Sequence, residues 1–274
     1  MLAEERRFQI CEVLARQRTV SATELKTTLG VTAATIRRDL AALEQEGLLV
    51  RSHGGAVSKA SSTNFQPSYE ALGRTNLEEK QWIAEEAAKL ILDGDTVFLE
   101  GSTTVYELAV HLLQRNRLTV VTNSPLIVCQ LQRAANINVL CTGGDLQRDI
   151  FYLSGLWAQR SLTEIRVDKA VLGISAIDPD YGISTASQAE ALVKKLIAKV
   201  AKERIGLADH SKFGNQGFAY VGPSTDIHTL VTDSGTEDKH VHALRESGVQ
   251  VIVAGPPAAP ARQKSTDRAH AAAR

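Results

Sequence analysis

The stretch SATELKTTLGVTAATIRRDLAALEQEGLLVRSHGGAV, residues 21–57, decides how the chain is read. Ser21 with Glu24 three residues later fits a capping box, in which each side chain satisfies the other's exposed backbone N–H. Gly30 ends that short helix, because glycine takes a positive φ without a Cβ penalty. Thr32 then stands as the N-cap of a second helix and Gly47 as its stop. Two helices joined by a tight glycine-containing turn are the helix-turn-helix signature. At about 100° per residue, Ile36, Leu40 and Leu43 fall on one face of the second helix and pack inward. Ala34, Arg38 and Ala41 point the opposite way, with Thr35 and Arg37 on the flanks. Small residues beside arginine permit close approach to a groove, and arginine suits both phosphates and guanine edges. Taken alone, this face also fits an ordinary solvated surface with an Arg–Asp pair. The segment that follows, GLLVRSHGGAV, is a short apolar strand, a polar turn with Arg51 and His53, then Gly54-Gly55 and a second strand, which reads as a wing. Helix and wing together predict a DNA-binding surface made by Ser21, Thr32, Ala34, Thr35, Arg37, Arg38, Arg51 and His53. Upstream, Phe8, Ile10, Val13 and Leu14 give a preceding helix its apolar stripe, which ends before Thr19.

Beyond residue 57 the composition changes. Small and polar residues with a proline, SKASSTNFQPS, read as a linker. Asn76 is expected to cap a helix from Leu77 to Leu92 with Trp82 on its inner side. The strands TVFLE (96–100), LTVVTN (118–123), INVLCTGG (137–144), DKAVLGIS (168–175), RIGLAD (204–209), HTLVTD (228–233) and VQVIVAG (249–255) then recur, mostly with helical stretches between. Short apolar strands separated by helices indicate a parallel sheet covered on both faces. The expected class is therefore α/β, with an N-terminal winged helix-turn-helix domain and a larger C-terminal α/β domain with a mostly parallel sheet. The expected division is a reader at 1–57, a linker at 58–75, the α/β domain at 76–254 and a disordered tail at 255–274.

Composition bounds the function. With 274 residues, 43% of them hydrophobic and 23% charged, the chain sits among globular proteins, which excludes disorder throughout. No run approaches the roughly 18 apolar residues of a membrane span. The opening MLAEERRFQI is charged and lacks the apolar stretch of a signal peptide. A cytoplasmic protein with no membrane partner is expected. Cys11, Cys129 and Cys141 are odd in number and unclustered, which argues against a disulfide framework and against a zinc site. His240 and His242 have no carboxylates at ligand spacing, so no metal is expected. The zero net charge, 31 Lys+Arg against 31 Asp+Glu, is a sum of unlike parts. Residues 1–58 hold 8 basic and 7 acidic side chains (+1), residues 59–255 hold 19 and 23 (−4), and the remainder 4 and 1 (+3).

In an open parallel sheet, ligands bind beyond the carboxyl ends of the strands. The loop after TVFLE offers Glu100, Gly101, Ser102, Thr103 and Thr104 at a helix start, where backbone N–H groups, hydroxyls and the positive dipole end suit a phosphate. Ser and Thr also serve there simply as caps. Asn123 and Ser124 follow the next strand, Gly143 and Gly144 the one after, and Asp209 and Lys212 follow RIGLA. Four such loops on one edge favour a small anionic, polyhydroxylated ligand, best fitted by a sugar phosphate. Glu190 and Lys194 read as an i,i+4 pair of the kind that usually supports a helix surface.

The succession of motifs resembles the DeoR-type family of bacterial sugar-metabolism repressors. The similarity runs through VTAATIRRDLAALEQEGLLVRSHGGAV (31–57), NLEEKQWIAEEAAKLILDGDTVFLEGSTT (76–104), LTVVTNS (118–124), TGGDLQ (142–147) and LADHSKFG (207–214), over about residues 3–254 and in the family's order. The resemblance implies a sensor related to ribose-5-phosphate isomerases that answers to a phosphorylated sugar. It implies Thr35, Arg37 and Arg38 at the DNA, and Gly101 to Thr104, Asn123, Gly143, Gly144, Asp209 and Lys212 around the effector. Three positions depart from the family pattern. Glu100 stands where Asp is common, Thr32 where Ser is usual, and Gly155-Leu156 where Gly-Pro is frequent.

These readings combine into a homo-oligomeric regulator, dimer or tetramer, whose partners are double-stranded operator DNA and a sugar-phosphate effector, with no cofactor. Repression is the expected sense, and activation would use the same machinery. The alternative is a sugar-phosphate isomerase fused to a DNA-binding domain. There Asp209, Glu190 or Glu100 would be the general base and Lys212 would stabilise the enediolate.

Overall fold

Residues 2–17, 19–45, 48–52, 54–58 and 68–256 are described by a computed structural model. Gly47, His53, residues 59–67 of the predicted linker and residues 257–274 of the predicted tail lie outside the described residues.

The N-terminal domain runs α1 (Ala3–Gln17), β1 (Thr19–Ser21), α2 (Ala22–Leu29), α3 (Ala33–Gln45), β2 (Leu49–Ser52) and β3 (Gly55–Ser58). Its three strands form an antiparallel sheet in the order β1-β3-β2. The caps read from sequence are in place: the Glu24 N–H donates to Ser21 Oγ at 3.0 Å, Gly30 has φ 63°, and the Thr35 N–H donates to Thr32 Oγ1 at 3.2 Å. Strand β1 was not legible, since three residues carry no period. It places Val20 in the core beside Ile10, Leu14, Leu25, Ile36, Leu40 and Leu43. Phe8 does not join them. It is 41% exposed, so the buried stripe of α1 is Ile10 and Leu14. Asp39 also departs from the surface reading of its helix. It is buried and receives Arg6 Nε at 2.5 Å and Nη2 at 3.1 Å, so it ties α3 to α1. Among the described residues neither Arg37 nor Arg38 has an ion-pair partner, and both are exposed.

The C-terminal domain opens with α4 (Tyr69–Arg74), inside the stretch read as linker, and α5 (Leu77–Lys89). Then follow β4 (Thr96–Leu99), α6 (Thr103–His111), β5 (Leu118–Thr122), α7 (Pro125–Leu131), β6 (Ile137–Cys141), β7 (Asp145–Gln147), β8 (Tyr152–Ser154) and α8 (Gly155–Thr163). The chain continues through β9 (Val167–Gly173), β10 (Ala176–Asp178), β11 (Gly182–Thr185), α9 (Gln188–Val200) and β12 (Ala201–Leu207). It closes with β13 (Ala219–Gly222), β14 (Thr229–Asp233), α10 (Asp238–Glu246) and β15 (Gln250–Ala254). The seven strands read from sequence form one parallel sheet in the order β15-β14-β12-β9-β4-β5-β6. The hairpin β7-β8 and the antiparallel sheet β10-β11-β13 are additions that sequence periodicity did not disclose.

Alternation along the buried strands explains the two faces. Val97, Leu99 and Val171 point to the core shared with Ile83 of α5, Leu108 of α6 and Ile127 of α7. Phe98, Ala170 and Leu172 point to the core shared with Leu162 of α8, Ile197 of α9 and Leu244 of α10. Residues of both parities are apolar because both faces are covered. The chain leaves β4 towards α6 on one face and leaves β9 towards α9 on the other. A crevice therefore opens between the carboxyl ends of these neighbouring strands, where the strand order reverses. Asn76 stands at the N-cap of α5 as expected from sequence, but its side chain makes no cap hydrogen bond. Its backbone is left-handed (φ 52°), and its amide donates to Asp209 Oδ1 at 2.8 Å, which turns the start of α5 towards the crevice.

Ile36 is fully buried in a small core, and truncation of a buried isoleucine to alanine costs roughly 2–5 kcal/mol. Ile36→Ala is therefore expected to abolish cooperative unfolding of the N-terminal domain in urea while the C-terminal transition keeps its midpoint. An unchanged N-terminal transition would contradict the core assignment.

Candidate effector-binding site and DNA-binding face

Helix α3 presents Ala34, Arg37 and Arg38 to solvent, with Thr35 half-buried beside them. The hydroxyls of Thr32 and Thr35 lie 2.9 Å apart, so the helix start carries two linked hydroxyls next to the arginines. Ser21 caps α2. Arg51 lies on β2, where its backbone N–H donates to Glu44 Oε1 at 2.9 Å and its guanidinium sits 3.9 Å from Glu44 Oε2. That ion pair is nearly half exposed and therefore weak, so it leaves the guanidinium available to an outside anion.

The effector residues read from sequence all fall at the carboxyl edge of the parallel sheet, from β12, β4, β5 and β6. Gly101 N–H donates to Asn123 Oδ1 at 2.9 Å, which joins the loops after β4 and β5. Ser102 Oγ accepts the Val105 N–H at 3.1 Å and Ser124 Oγ accepts the Ile127 N–H at 3.4 Å, so these two hydroxyls cap α6 and α7. Thr103 remains half-exposed at the first turn of α6, and Thr104 is buried behind it. Gly143 adopts φ 69°, and a Cβ on Gly144 would strike the carbonyl oxygen of Ser154. The need for glycine at Gly144 is therefore met by β8, part of the chain itself.

Glu100 was read from sequence as part of the effector loop, in place of the Asp common in the family. It is 1% exposed and lies beneath its loop. Its Oε2 accepts the Gly173 N–H at 3.0 Å and its Oε1 lies 2.8 Å from Lys194 Nζ, which in turn donates to the Gly173 carbonyl at 2.6 Å. The carboxylate thus ties the end of β4 to the end of β9. Glu190 and Lys194 likewise are no surface pair. Their charges lie 3.3 Å apart in the interior, and Glu190 also accepts Thr185 Oγ1 at 2.5 Å and Ser175 Oγ at 3.2 Å. Burial pushes the Glu100 carboxyl up, against the pull of Lys194. Burial works against the Lys194 charge too, but Glu100 and Glu190 outweigh it and hold that ammonium above the usual lysine range. One cation shared by two acids makes a structural clamp.

Asp209 caps, and Lys212 ends, the 3₁₀ turn His210–Lys212 that follows β12. Asp209 is 1% exposed. Its Oδ1 accepts the Asn76 amide, the Ser211 N–H at 3.0 Å and the Ser211 hydroxyl, and its Oδ2 lies 3.6 Å from Lys212 Nζ. Burial alone would raise this carboxyl, but Lys212, Ser211, Lys80 and Asn76 reverse the effect and lower it to about 2. Lys80 was not read from sequence. It sits on the inner side of α5 and donates to the carbonyls of Leu72 and, at 2.7 Å, Thr75, which closes the end of α4. Burial first and Lys212 second lower its ammonium to about 8. A charged residue at an apolar helical period was the one signal that pointed to it. His210 Nδ1 lies 2.9 Å from Asp233 Oδ2, and that hydrogen bond raises the imidazole above its ordinary range despite partial burial. Among the described residues no group of three His, Cys, Asp or Glu side chains is placed to hold a metal ion.

A DeoR-like helix-turn-helix domain matches residues 6–62, and the DeoR C terminal sensor domain matches residues 75–234. The chain belongs to the DeoR family. It is similar to the HTH-type transcriptional regulator YulB of Bacillus subtilis (38% identity, covering 92% of this chain and 96% of that one). It is also similar to a putative aga operon transcriptional repressor of Escherichia coli O157:H7 (34%, 92% and 94%) and to the transcriptional repressor GlcR of B. subtilis (34%, 92% and 97%). A ribose 5-phosphate isomerase from Methanocaldococcus jannaschii aligns over 51% of this chain and 55% of its own at 20% identity with a TM-score of 0.38, too distant to carry an argument. This DeoR-family protein is a DNA-binding transcriptional regulator with a C-terminal sensor for a small-molecule effector, not an enzyme. Among its described residues no helix is long and apolar enough to cross a membrane.

A carboxyl lowered on folding stabilises the fold above its unfolded pKa, and that stabilisation disappears as pH falls through the folded value. For Asp209 the window runs from about 4 down to about 2, and the shift corresponds to about 2 kcal/mol at neutral pH. Asp209→Asn is expected to lose about that much stability in urea at pH 7, with the gap from wild type closing as pH falls towards 2. A gap independent of pH would show that the carboxylate charge is not what stabilises this corner.

Proposed function

We propose that this regulator is a repressor of a carbohydrate-metabolism operon, released from its operator by a phosphorylated sugar, and that it works as a homo-oligomer without a cofactor. The observation that carries the reading is the convergence of the β4, β5, β6 and β12 loops on one sheet edge at the reversal of strand order, with the start of α6 and Lys212 both on that edge. The first backbone N–H groups of α6, its positive dipole end and the Thr103 hydroxyl suit a phosphate. Polar side chains from the neighbouring loops suit the hydroxyls of a sugar. Two relatives are named as repressors, one of them of the aga operon, which supports the direction of control.

The reader, residues 1–57, engages the major groove through α3. Arg38 and Thr35 face base edges, while Arg37, Thr32, Ser21 and the wing with Arg51 and His53 fix the register on phosphates. Two readers from different subunits span half-sites about one helical turn apart. The sensor, residues 76–254, meets the linker through α4. Lys80 closes the carboxyl end of that helix, and Asn76 joins its exit to Asp209. An anion that draws on Lys212 alters the field at Asp209 and Lys80, and so shifts the anchorage of α4. Effector coupling of this kind is typically about 1–3 kcal/mol, or 5–150-fold in operator affinity.

Arg38→Ala is expected to weaken operator binding by roughly 1–3 kcal/mol, and Arg37→Ala to reduce the salt slope of binding by about one unit, in fluorescence-anisotropy titrations over a range of salt. Unchanged binding in both variants would remove α3 from the groove. Thr103→Val should keep wild-type operator affinity but no longer release DNA when a panel of pentose and hexose phosphates is added. Normal release would take the α6 start out of the effector site.

A further inference from the structure

Strand β8 crosses the carboxyl edge of the sheet and touches three of the effector loops with three consecutive residues. Tyr152 packs on Gly101, where an added Cβ would lie 2.7 Å from the Tyr152 Cβ. Leu153 exchanges hydrogen bonds with Asn123: its N–H donates to the Asn123 carbonyl at 2.7 Å, and its carbonyl accepts the Asn123 amide at 3.2 Å. The Ser154 carbonyl fills the space that a side chain on Gly144 would need. Strand β8 is therefore a wall of the same site, contributed by a hairpin rather than by the parallel sheet.

One polar group on this wall is left without a partner. Tyr152 is 2% exposed, and its hydroxyl is buried with no hydrogen bond to any described residue. Burying a hydroxyl unpaired is unfavourable, and native proteins rarely leave one so without a use for it. Its surroundings are polar. Burial first, and then Glu190 and Glu100, hold the phenol well above its ordinary range, so it stays a neutral donor. A weak polar contact from the Ser187 side chain opposes that shift, but it does not reach hydrogen-bond geometry at the Tyr152 hydroxyl. Glu100 is engaged by Lys194 and Gly173, and Glu190 by Thr185, Ser175 and Lys194. The donor thus sits at the back of the phosphate loop, between loops that carry polar side chains, with its nearest acids already occupied. The position is also held from behind. Phe151 takes a left-handed φ of 49°, its ring meets that of Tyr69 on α4 edge-on at 5.8 Å, and the Asp149 carbonyl accepts the Tyr69 N–H at 2.6 Å.

We propose that Tyr152 is a specificity-determining residue of the sensor, whose buried, unpartnered hydroxyl donates a hydrogen bond to an oxygen of the sugar moiety of the bound phosphorylated sugar. This rests on the sugar-phosphate reading of the site above. The phosphate binds at the start of α6, and Tyr152 reads the sugar from the β8 wall beside that loop. A group built to pair with one oxygen also rejects analogues that lack it, because the donor is then left unpaired.

The test is calorimetric titration of the full-length protein and of Tyr152→Phe with pentose and hexose phosphates, with deoxy analogues of the best binder, and with inorganic phosphate. The expected result is that Tyr152→Phe binds the preferred sugar phosphate about tenfold more weakly. It keeps wild-type affinity for inorganic phosphate and melts no lower than wild type. It also loses the discrimination that wild type shows against one deoxy analogue, as a pairwise coupling requires. Equal affinity of the two proteins for the sugar phosphate overturns the assignment and leaves the sugar-phosphate reading standing. Equal weakening towards sugar phosphate and inorganic phosphate, or a large fall in melting temperature, makes the hydroxyl structural and also overturns it. A wild-type protein that binds no sugar phosphate overturns both.

Discussion

Asp209 is the constraint on which the sensor's working parts depend. A buried carboxylate is tolerable only when donors and cations surround it. Here those groups come from three places: Ser211 and Lys212 on the turn after β12, Asn76 at the exit of α4, and Lys80 one turn further into α5. Removing any one of them unbalances the rest. The lowered Lys80 ammonium shows the strain of the arrangement, since a buried lysine with Lys212 nearby is held charged by Asp209 and by the carbonyls that close α4. A charge placed beside Lys212 would be felt at the helix that leads to the linker. Electrostatics of this reach need the low dielectric of a buried corner.

The clamp around Lys194 has a different role. Glu100, Lys194 and Glu190 fix the ends of β4, β9 and the first turns of α9, so the crevice between β4 and β9 keeps its shape. The hydroxyls of Ser102 and Ser124 start the helices that point into that crevice. The charge cluster beside this crevice joins the turn after β12 to the end of α4 and the start of α5. The reader contributes little net charge of its own, +1 over residues 1–58. In the proposed homo-oligomer, weak non-specific attraction to DNA leaves selectivity to two readers acting at once.

Much of this was legible in the sequence, and the failures have physical causes. All seven parallel strands were found, because strands buried on both faces are continuous apolar runs that need no partner to be recognised. The caps Ser21 and Thr32 and the turn at Gly30 were found for the same reason, since their chemistry is local. Asn76 was placed correctly at the start of α5, but its side-chain partner was not legible, because Asp209 is 133 positions away. Glu190 and Lys194 have the spacing of a surface pair, and nothing local reveals that both are buried with Glu100. Strand β8 was missed because three residues establish no period, and its importance comes from lying across loops distant in the chain. The exposed face of α3 with Arg37 and Arg38 was legible in the sequence, whereas the partner of Asp39 was not, because Arg6 lies on another helix.

In the proposed mechanism sensor and reader are coupled, and such coupling is reciprocal. The most direct measurement is the affinity of the full-length protein for the proposed sugar-phosphate effector, free and saturated with operator DNA, at one salt concentration. The mechanism predicts that operator DNA weakens effector binding by the same factor, between about five- and 150-fold, by which the effector weakens operator binding. Effector affinity that is identical with and without DNA would contradict it.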